Sequence, residues 1–337
     1  MSQPIKFFIA FFFTVGALLA NAKEVSVHKG IQFAASDNFP LTLDIYIPQT
    51  GKKSYPVVVI YHGGGWLVNN NSIMNDFSTK LARDGEFVVA NMNYRLLGDQ
   101  HNTVKINQIV EDVFGGLLWV KEHIAEYGGD PKRVAITGDS AGGHLTAMIL
   151  TRGRQLESDG YAGDSLGFNP SYLPKGKSAE KVAKKDGLKV QAAVVSYGAF
   201  DIYKTAQGGF ESPSNMFWKY GNAEARGLFG DKINVHDNPD YYKAVSPIYF
   251  IPQASDYQLP PQFVHVGSLD KTTPPEAAQH YVDLLKAAKQ PVEYKVYPNK
   301  DHAYLDNGCN WAKSCFDKDA VEPVNDIIVF LNKTLKQ

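Results

Sequence analysis

Cysteine is nearly absent from this chain, with only Cys309 and Cys315 among 337 residues. Two cysteines exclude a disulfide-scaffolded mini-domain, and without matching histidine spacing they do not make a zinc site. An excess of either charge is missing too. Lys and Arg number 34 against 35 Asp and Glu, for a net charge of −1. No long-range field is available to gather phosphates or anionic lipid, so nucleic-acid partners are unsupported. The densest basic run, Lys175 to Lys189, also holds Glu180 and Asp186 and reads as a solvated surface. Linkers rich in Pro, Ser and Gly are absent, as are internal repeats, and one large catalytic domain over 23–337 is the economical reading.

Long apolar runs are limited to one. Lys6 precedes Phe7 to Ala20, which ends in the small-residue pattern Ala20-Asn21-Ala22. This is the layout of a secretory signal peptide over 1–22, shorter than the ~20 residues of a spanning helix. The expectation is cleavage after Ala22, a mature chain beginning at Lys23, a periplasmic or secreted protein, and no stable membrane insertion. No cysteine lies near the junction to carry a lipid. Export favours a local disulfide between Cys309 and Cys315, worth about 2 kcal/mol for so short a loop. Two free thiols are the alternative.

What the chain has in quantity is alternation. β-branched and aromatic runs bounded by turn residues predict eight strands, at 25–33, 40–47, 56–61, 87–92, 133–138, 190–196, 262–267 and 292–297. The first two alternate like antiparallel strands with a wet face, and Val57-Val58-Val59-Ile60 is continuous like a buried parallel strand. Helical spacing predicts helices over 72–84, 104–127, 140–152, 274–289 and 319–336. This order predicts an α/β fold, a mostly parallel eight-stranded sheet flanked by helices, with chemistry at the carboxyl ends of the strands. Two segments interrupt it. Residues 153–189 read as a surface insertion. Residues 197–260, crowded with aromatics, read as a cap or lid, or as a small satellite core.

The strand ending at Thr137 runs into Gly138-Asp139-Ser140-Ala141-Gly142-Gly143 and then directly into a helix. This is the context in which a G-x-S-x-G turn exposes a nucleophilic serine. Another strand ends in His62-Gly63-Gly64-Gly65-Trp66, whose backbone N–H groups can face a pocket. Gly63 and Gly64, with Ala141, are the expected donors to a tetrahedral oxyanion, each worth about 3 kcal/mol of barrier. A phosphate loop is disfavoured, because the Lys-Ser/Thr ending is missing. Serine needs a base and the base an orienting acid. His302 and Asp270 both follow strands, and the order Ser140, Asp270, His302 is that of α/β-hydrolases. His62 and His144 are competing bases with structural readings, His265 belongs to the core, and Asp301 competes weakly with Asp270. Trp66, Phe217 and Trp218 are the expected pocket walls.

These motifs, with Asn93-Tyr94-Arg95-Leu96, Asp130-Pro131-Lys132-Arg133-Val134, Gly267-Ser268-Leu269-Asp270 and Asp301-His302, resemble the hormone-sensitive-lipase-like branch of α/β-hydrolases. The likeness spans about residues 40 to 335. It implies a carboxylesterase without cofactor or metal that acylates Ser140 and releases the alcohol before water enters. Only about 40 mature residues precede His62, too few for the helical cap of lipase-like members. The chain thus looks closer to small carboxylesterases and acetyl-xylan or feruloyl esterases, with a small-molecule ester or acylated saccharide as substrate. The same machinery serves amides, and the glycine-Trp loop is also similar to that of kynurenine formamidases. Export argues against that reading. A non-catalytic binding module is the reading from another class, and such proteins usually lose a triad position, whereas all three are filled here.

Overall fold

The computed structural model describes residues 24–162 and 165–336, so the expected leader lies outside the described residues. The strands are β1 (Val25–Ser36), β2 (Phe39–Pro48), β3 (Tyr55–Tyr61), β4 (Val88–Met92), β5 (Gly129–Asp139), β6 (Ala192–Ser196), β7 (Gln262–Gly267) and β8 (Val292–Tyr297). They form one sheet in the order β1-β2-β4-β3-β5-β6-β7-β8. β1, β2 and β4 pair antiparallel, and every pairing from β4 to β8 is parallel. Each predicted strand overlaps one of these. β3, β4, β6 and β7 are buried along their whole length, which is why their sequences are almost uninterrupted apolar runs.

The helices are α1 (Asn75–Gly85), α2 (Ile106–His123), α3 (Ala141–Arg152), α4 (Ala179–Lys184), α5 (Ile202–Gln207), α6 (Met216–Tyr220), α7 (Pro239–Ala244), α8 (Pro275–Ala287) and α9 (Val321–Leu335). The single helix predicted over 104–127 ends earlier. After His123 the chain tightens into a 3-10 turn, Ile124–Tyr127, closed by Gly128 at φ +77°. Glycine adopts that left-handed cap without the steric cost a side chain would carry. All twelve residues of α3 are buried, so this helix is walled in behind the sheet's central strands.

The segment expected as a surface insertion reaches into the core. Phe168 is fully buried, bridges Leu156, and meets Phe114 of α2 edge-on at 5.4 Å. The Arg152 guanidinium lies over the Phe168 and Phe250 rings at 5.4 and 4.1 Å. Its apolar residues are spaced too irregularly for a periodic signal, so a polar average hides a few deep anchors. The aromatic segment 197–260 contributes Phe210, Trp218, Leu228, Phe229 and Tyr242 to the common buried core. Arg226 ties it to the body, donating to the carbonyls of Leu97, Asn102, Val104 and Gly227.

Candidate active site

β5 turns into α3 at Ser140, whose φ of +52° and ψ of −116° are rare for a residue with a side chain. The neighbouring glycines permit the turn. A Cβ on Gly142 would lie 1.9 Å from the Tyr61 carbonyl oxygen, and one on Gly138 2.3 Å from that of Gly142. Strand β3, strand β5 and the helix therefore meet at backbone contact. The first intrahelical bond of α3 is His144 N–H to the Ser140 carbonyl, at 3.1 Å. The N–H groups of Ala141, Gly142 and Gly143 precede it, at the positive end of the helix.

The loops after β7 and β8 bring two further groups to this turn. His302 Nε2 lies 2.9 Å from Ser140 Oγ, and His302 Nδ1 lies 2.7 Å from Asp270 Oδ2. The three side chains thus form one line of hydrogen bonds, with Ser140, Asp270 and His302 exposed by only 6%, 2% and 4%. The other Asp270 oxygen accepts the N–H groups of Thr272 and Thr273, both at 2.9 Å. Thr273 Oγ1 donates to the Tyr197 carbonyl and sits 3.3 Å from His302 Nδ1. The Tyr197 ring packs edge-on against the imidazole at 5.0 Å. Asp301 does not touch that ring. Its carboxylate accepts the His302 backbone N–H at 2.8 Å, holding the main chain.

The glycine loop after β3 lies beside the same turn. A Cβ on Gly63 would come within 2.4 Å of Asp139 Oδ2, and Gly64 has φ +122°. Asp139 is itself buried. Burial pushes its carboxyl up to about 6, against the pull of His302 and of the Gly63 N–H. Burial raises Asp306 as well, and Asp139 adds to that rise.

His62, His144 and His265 are structural in their contacts. His62 stacks on Tyr94 at 4.3 Å and bonds the Gly63 carbonyl through Nδ1, while Tyr94 Oη donates to the His62 carbonyl at 2.6 Å. His144 Nδ1 accepts the Trp66 indole N–H at 3.2 Å and its Nε2 bonds the Val245 carbonyl at 2.8 Å. His265 lies between Ser196 and Tyr304. Burial lowers His62 and His144 to about 4 and His265 to about 3.

Two of the expected pocket walls are deeply buried. Trp66 and Trp218 are exposed by only 2% and 1%, and their indole N–H groups serve His144 and the Phe210 carbonyl. Large aromatics in a loop-rich segment found each other before they found solvent. Phe217 differs. It is half-buried on α6 with its ring against Gly65, where a Cβ would come within 2.7 Å of it. Sequence reasoning missed Thr273, Tyr197 and Asn310. Asp270-Lys271-Thr272-Thr273 carried a usable signal, since an aspartate accepting the N–H groups two and three residues on is a turn-forming pattern.

Among the described residues no group of three or more His, Cys, Asp or Glu side chains is placed to hold a metal ion. No helix among them is long and apolar enough to cross a membrane. Cys309 and Cys315 are joined in a disulfide.

Comparison with known proteins agrees with this geometry. The chain is 35% identical over 262 residues to the carboxylesterase NlhH of Mycobacterium tuberculosis, covering 77% of this chain and 70% of that one. It is 31% identical over 251 residues to the probable carboxylic ester hydrolase LipM of the same organism, covering 74% of this chain. It covers 49% of LipM, and thus spans about half the length of several curated relatives that it matches. A truncated carbohydrate esterase from gut microbiota shares its fold, with a TM-score of 0.66 at 21% identity over 94% of this chain and 98% of that one. The BD-FAE family model matches residues 43–285. With that match over more than half of its length, the chain belongs to the BD-FAE family and has the α/β-hydrolase fold.

Proposed function

We propose that this chain is an exported serine carboxylesterase, acting on short-chain or aromatic acyl esters, including acylated saccharides. The observation that carries the reading is the unbroken line from Ser140 Oγ to His302 Nε2 at 2.9 Å and from His302 Nδ1 to Asp270 Oδ2 at 2.7 Å. The name of NlhH as a carboxylesterase supports the bond type. The disulfide suits an oxidising compartment and so supports export, and the Ala20-Asn21-Ala22 pattern supports cleavage after Ala22.

In the proposed reaction, neutral His302 takes the Ser140 proton as Oγ attacks the ester carbonyl carbon. Asp270 fixes the imidazole with its Nδ1 proton toward the carboxylate and stabilises the imidazolium that forms. The N–H groups of Gly63, Gly64 and Ala141 receive the developing oxyanion. His302 then protonates the departing alkoxide as the acyl-enzyme forms. Water, deprotonated by His302, attacks that acyl group, and the acid leaves as Ser140 regains its proton. Phe217, against the oxyanion loop, forms one wall for the substrate.

The test is hydrolysis of p-nitrophenyl acetate and butyrate by the purified mature chain, alongside a matched anilide. Ser140→Ala is expected to abolish turnover and fluorophosphonate labelling. Near wild-type activity in that variant would overturn the reading, and faster anilide cleavage would replace the esterase by an amidase. Assays on acetylated xylan and methyl ferulate then order the substrate classes.

A further inference from the structure

We propose that Asn310 is a positioning residue for His302, and that the Cys309–Cys315 disulfide holds it in place, so that turnover depends on the oxidised loop. The inference rests on the esterase reading above and adds to it a control on the base.

His302 stands at the start of an irregular stretch between β8 and α9. A loop of that length, free at one side, would not hold an imidazole to the fraction of an ångström that proton transfer requires. The backbone here is also strained. Ala303, directly after His302, has φ +60°, a left-handed conformation that a residue with a Cβ avoids. Asn310 captures both carbonyls at this point. Its Nδ2 donates to the His302 oxygen at 3.1 Å and to the Ala303 oxygen at 2.8 Å.

The other half of the same amide faces its own loop. Asn310 Oδ1 accepts the N–H of Ala312 at 2.9 Å and of Ser314 at 3.1 Å, and Asn310 N–H donates to the Ser314 carbonyl at 2.9 Å. Both amide hydrogens and the amide oxygen are committed, a pattern that aspartate cannot reproduce because it has no donor. The disulfide closes the loop around Asn310, with Cα atoms 4.0 Å apart at Cys309 and Cys315. Phe316 N–H to the Gly308 carbonyl, at 2.8 Å, closes it a second time. The loop is fastened in turn to the body through Asn307, whose side-chain oxygen accepts the Asp76 N–H of α1, while its side-chain amide donates to the Ser72 carbonyl and its main-chain N–H to the Ile73 carbonyl in the 3-10 turn just before α1. The chain of support thus runs from the α1 start through the disulfide loop to the Asn310 amide and the His302 backbone.

Reduction cuts this chain at one bond. A dithiol such as dithiothreitol would leave as its cyclic disulfide while Cys309 and Cys315 become thiols, two electrons and two protons passing to the protein. The sheet, α3 and Asp270 are untouched by that exchange, so the effect falls on His302 placement.

The experiment uses the full mature chain with p-nitrophenyl acetate, comparing oxidised wild type, dithiothreitol-treated wild type, Cys309→Ser/Cys315→Ser and Asn310→Asp. Asn310→Asp keeps the acceptor side and loses both donors. The expected result is a fall in kcat of about 100-fold for Asn310→Asp and about 10-fold on reduction, with KM changed less than about 2-fold. Reduction of Asn310→Asp should add almost no further loss, because the two act through one contact. Wild-type kcat in both the reduced protein and the cysteine variant overturns the proposal, as does full additivity of the two losses. If the oxidised wild type shows no Ser140-dependent turnover or labelling, the esterase reading itself has failed, and the proposal fails with it.

Discussion

The Trp66 indole N–H donates to His144 Nδ1 at 3.2 Å, joining the glycine loop after β3 to helix α3. His144 Nε2 passes the connection on to the Val245 carbonyl at 2.8 Å. Replacing His144 by alanine strands a buried indole donor and a buried carbonyl. His144→Ala should lose about 2–6 kcal/mol of stability, at ~1–3 kcal/mol for each stranded group. Urea denaturation followed by tryptophan fluorescence measures this. His144→Gln, which keeps an acceptor and a donor, should recover part of the loss.

Acid should destabilise this protein through its buried histidines. Burial keeps His62 and His144 at about 4 and His265 at about 3. The unfolded chain binds protons at these groups from near pH 6.5, where the folded chain does not. Their contribution to stability is therefore complete above pH 6.5 and lost as pH falls toward 4, on the order of 3 kcal/mol for each. Denaturation midpoints at pH 7.5, 6 and 4.5 should fall in that order.

Asp139 works with the opposite sign. Burial raises its carboxyl to about 6, so the folded chain favours the protonated form. The associated stability is complete below about pH 4 and lost as pH rises through about 6. Asp139→Asn should accordingly be more stable than wild type at pH 8, with the difference vanishing near pH 4. Paired denaturation curves at the two pH values check this.

Gly142 has no room for a methyl group, since its Cβ would stand 1.9 Å from the Tyr61 carbonyl oxygen. Backbone on both sides prevents an easy shift. Gly142→Ala should cost about 1–3 kcal/mol and, by moving Ser140 against His302, about 100-fold or more in kcat. Thermal unfolding and steady-state kinetics on the same preparation separate the two effects.

The Asn93-Tyr94-Arg95-Leu96 motif places a charge inside the fold. Arg95 is 2% exposed and forks onto the buried Asp112, Nε to Oδ2 and Nη2 to Oδ1 both at 2.8 Å. Asp112→Ala should cost about 3–5 kcal/mol by leaving the buried guanidinium with only the largely exposed Asp37, 3.2 Å from Nη1. The paired replacement Arg95→Met with Asp112→Leu should recover most of it, as measured by chemical denaturation.

Local pattern alone determined a good deal here. Strand ranges followed from short apolar runs between turn residues, and the glycines around Ser140 announced a strand and helix in close contact. His302 and Asp270 could be read as loop residues at strand ends because parallel sheets gather such loops on one edge. What the tertiary structure decided were the partners. Gly63 came to lie against the Asp139 carboxyl, Trp66 and Trp218 closed on buried acceptors, and Asn310 took hold of the His302 backbone through a disulfide loop. Residue type says that an indole or amide must find a hydrogen-bond partner. Which partner it finds depends on how elements tens of residues apart are stacked, and periodicity carries no record of that.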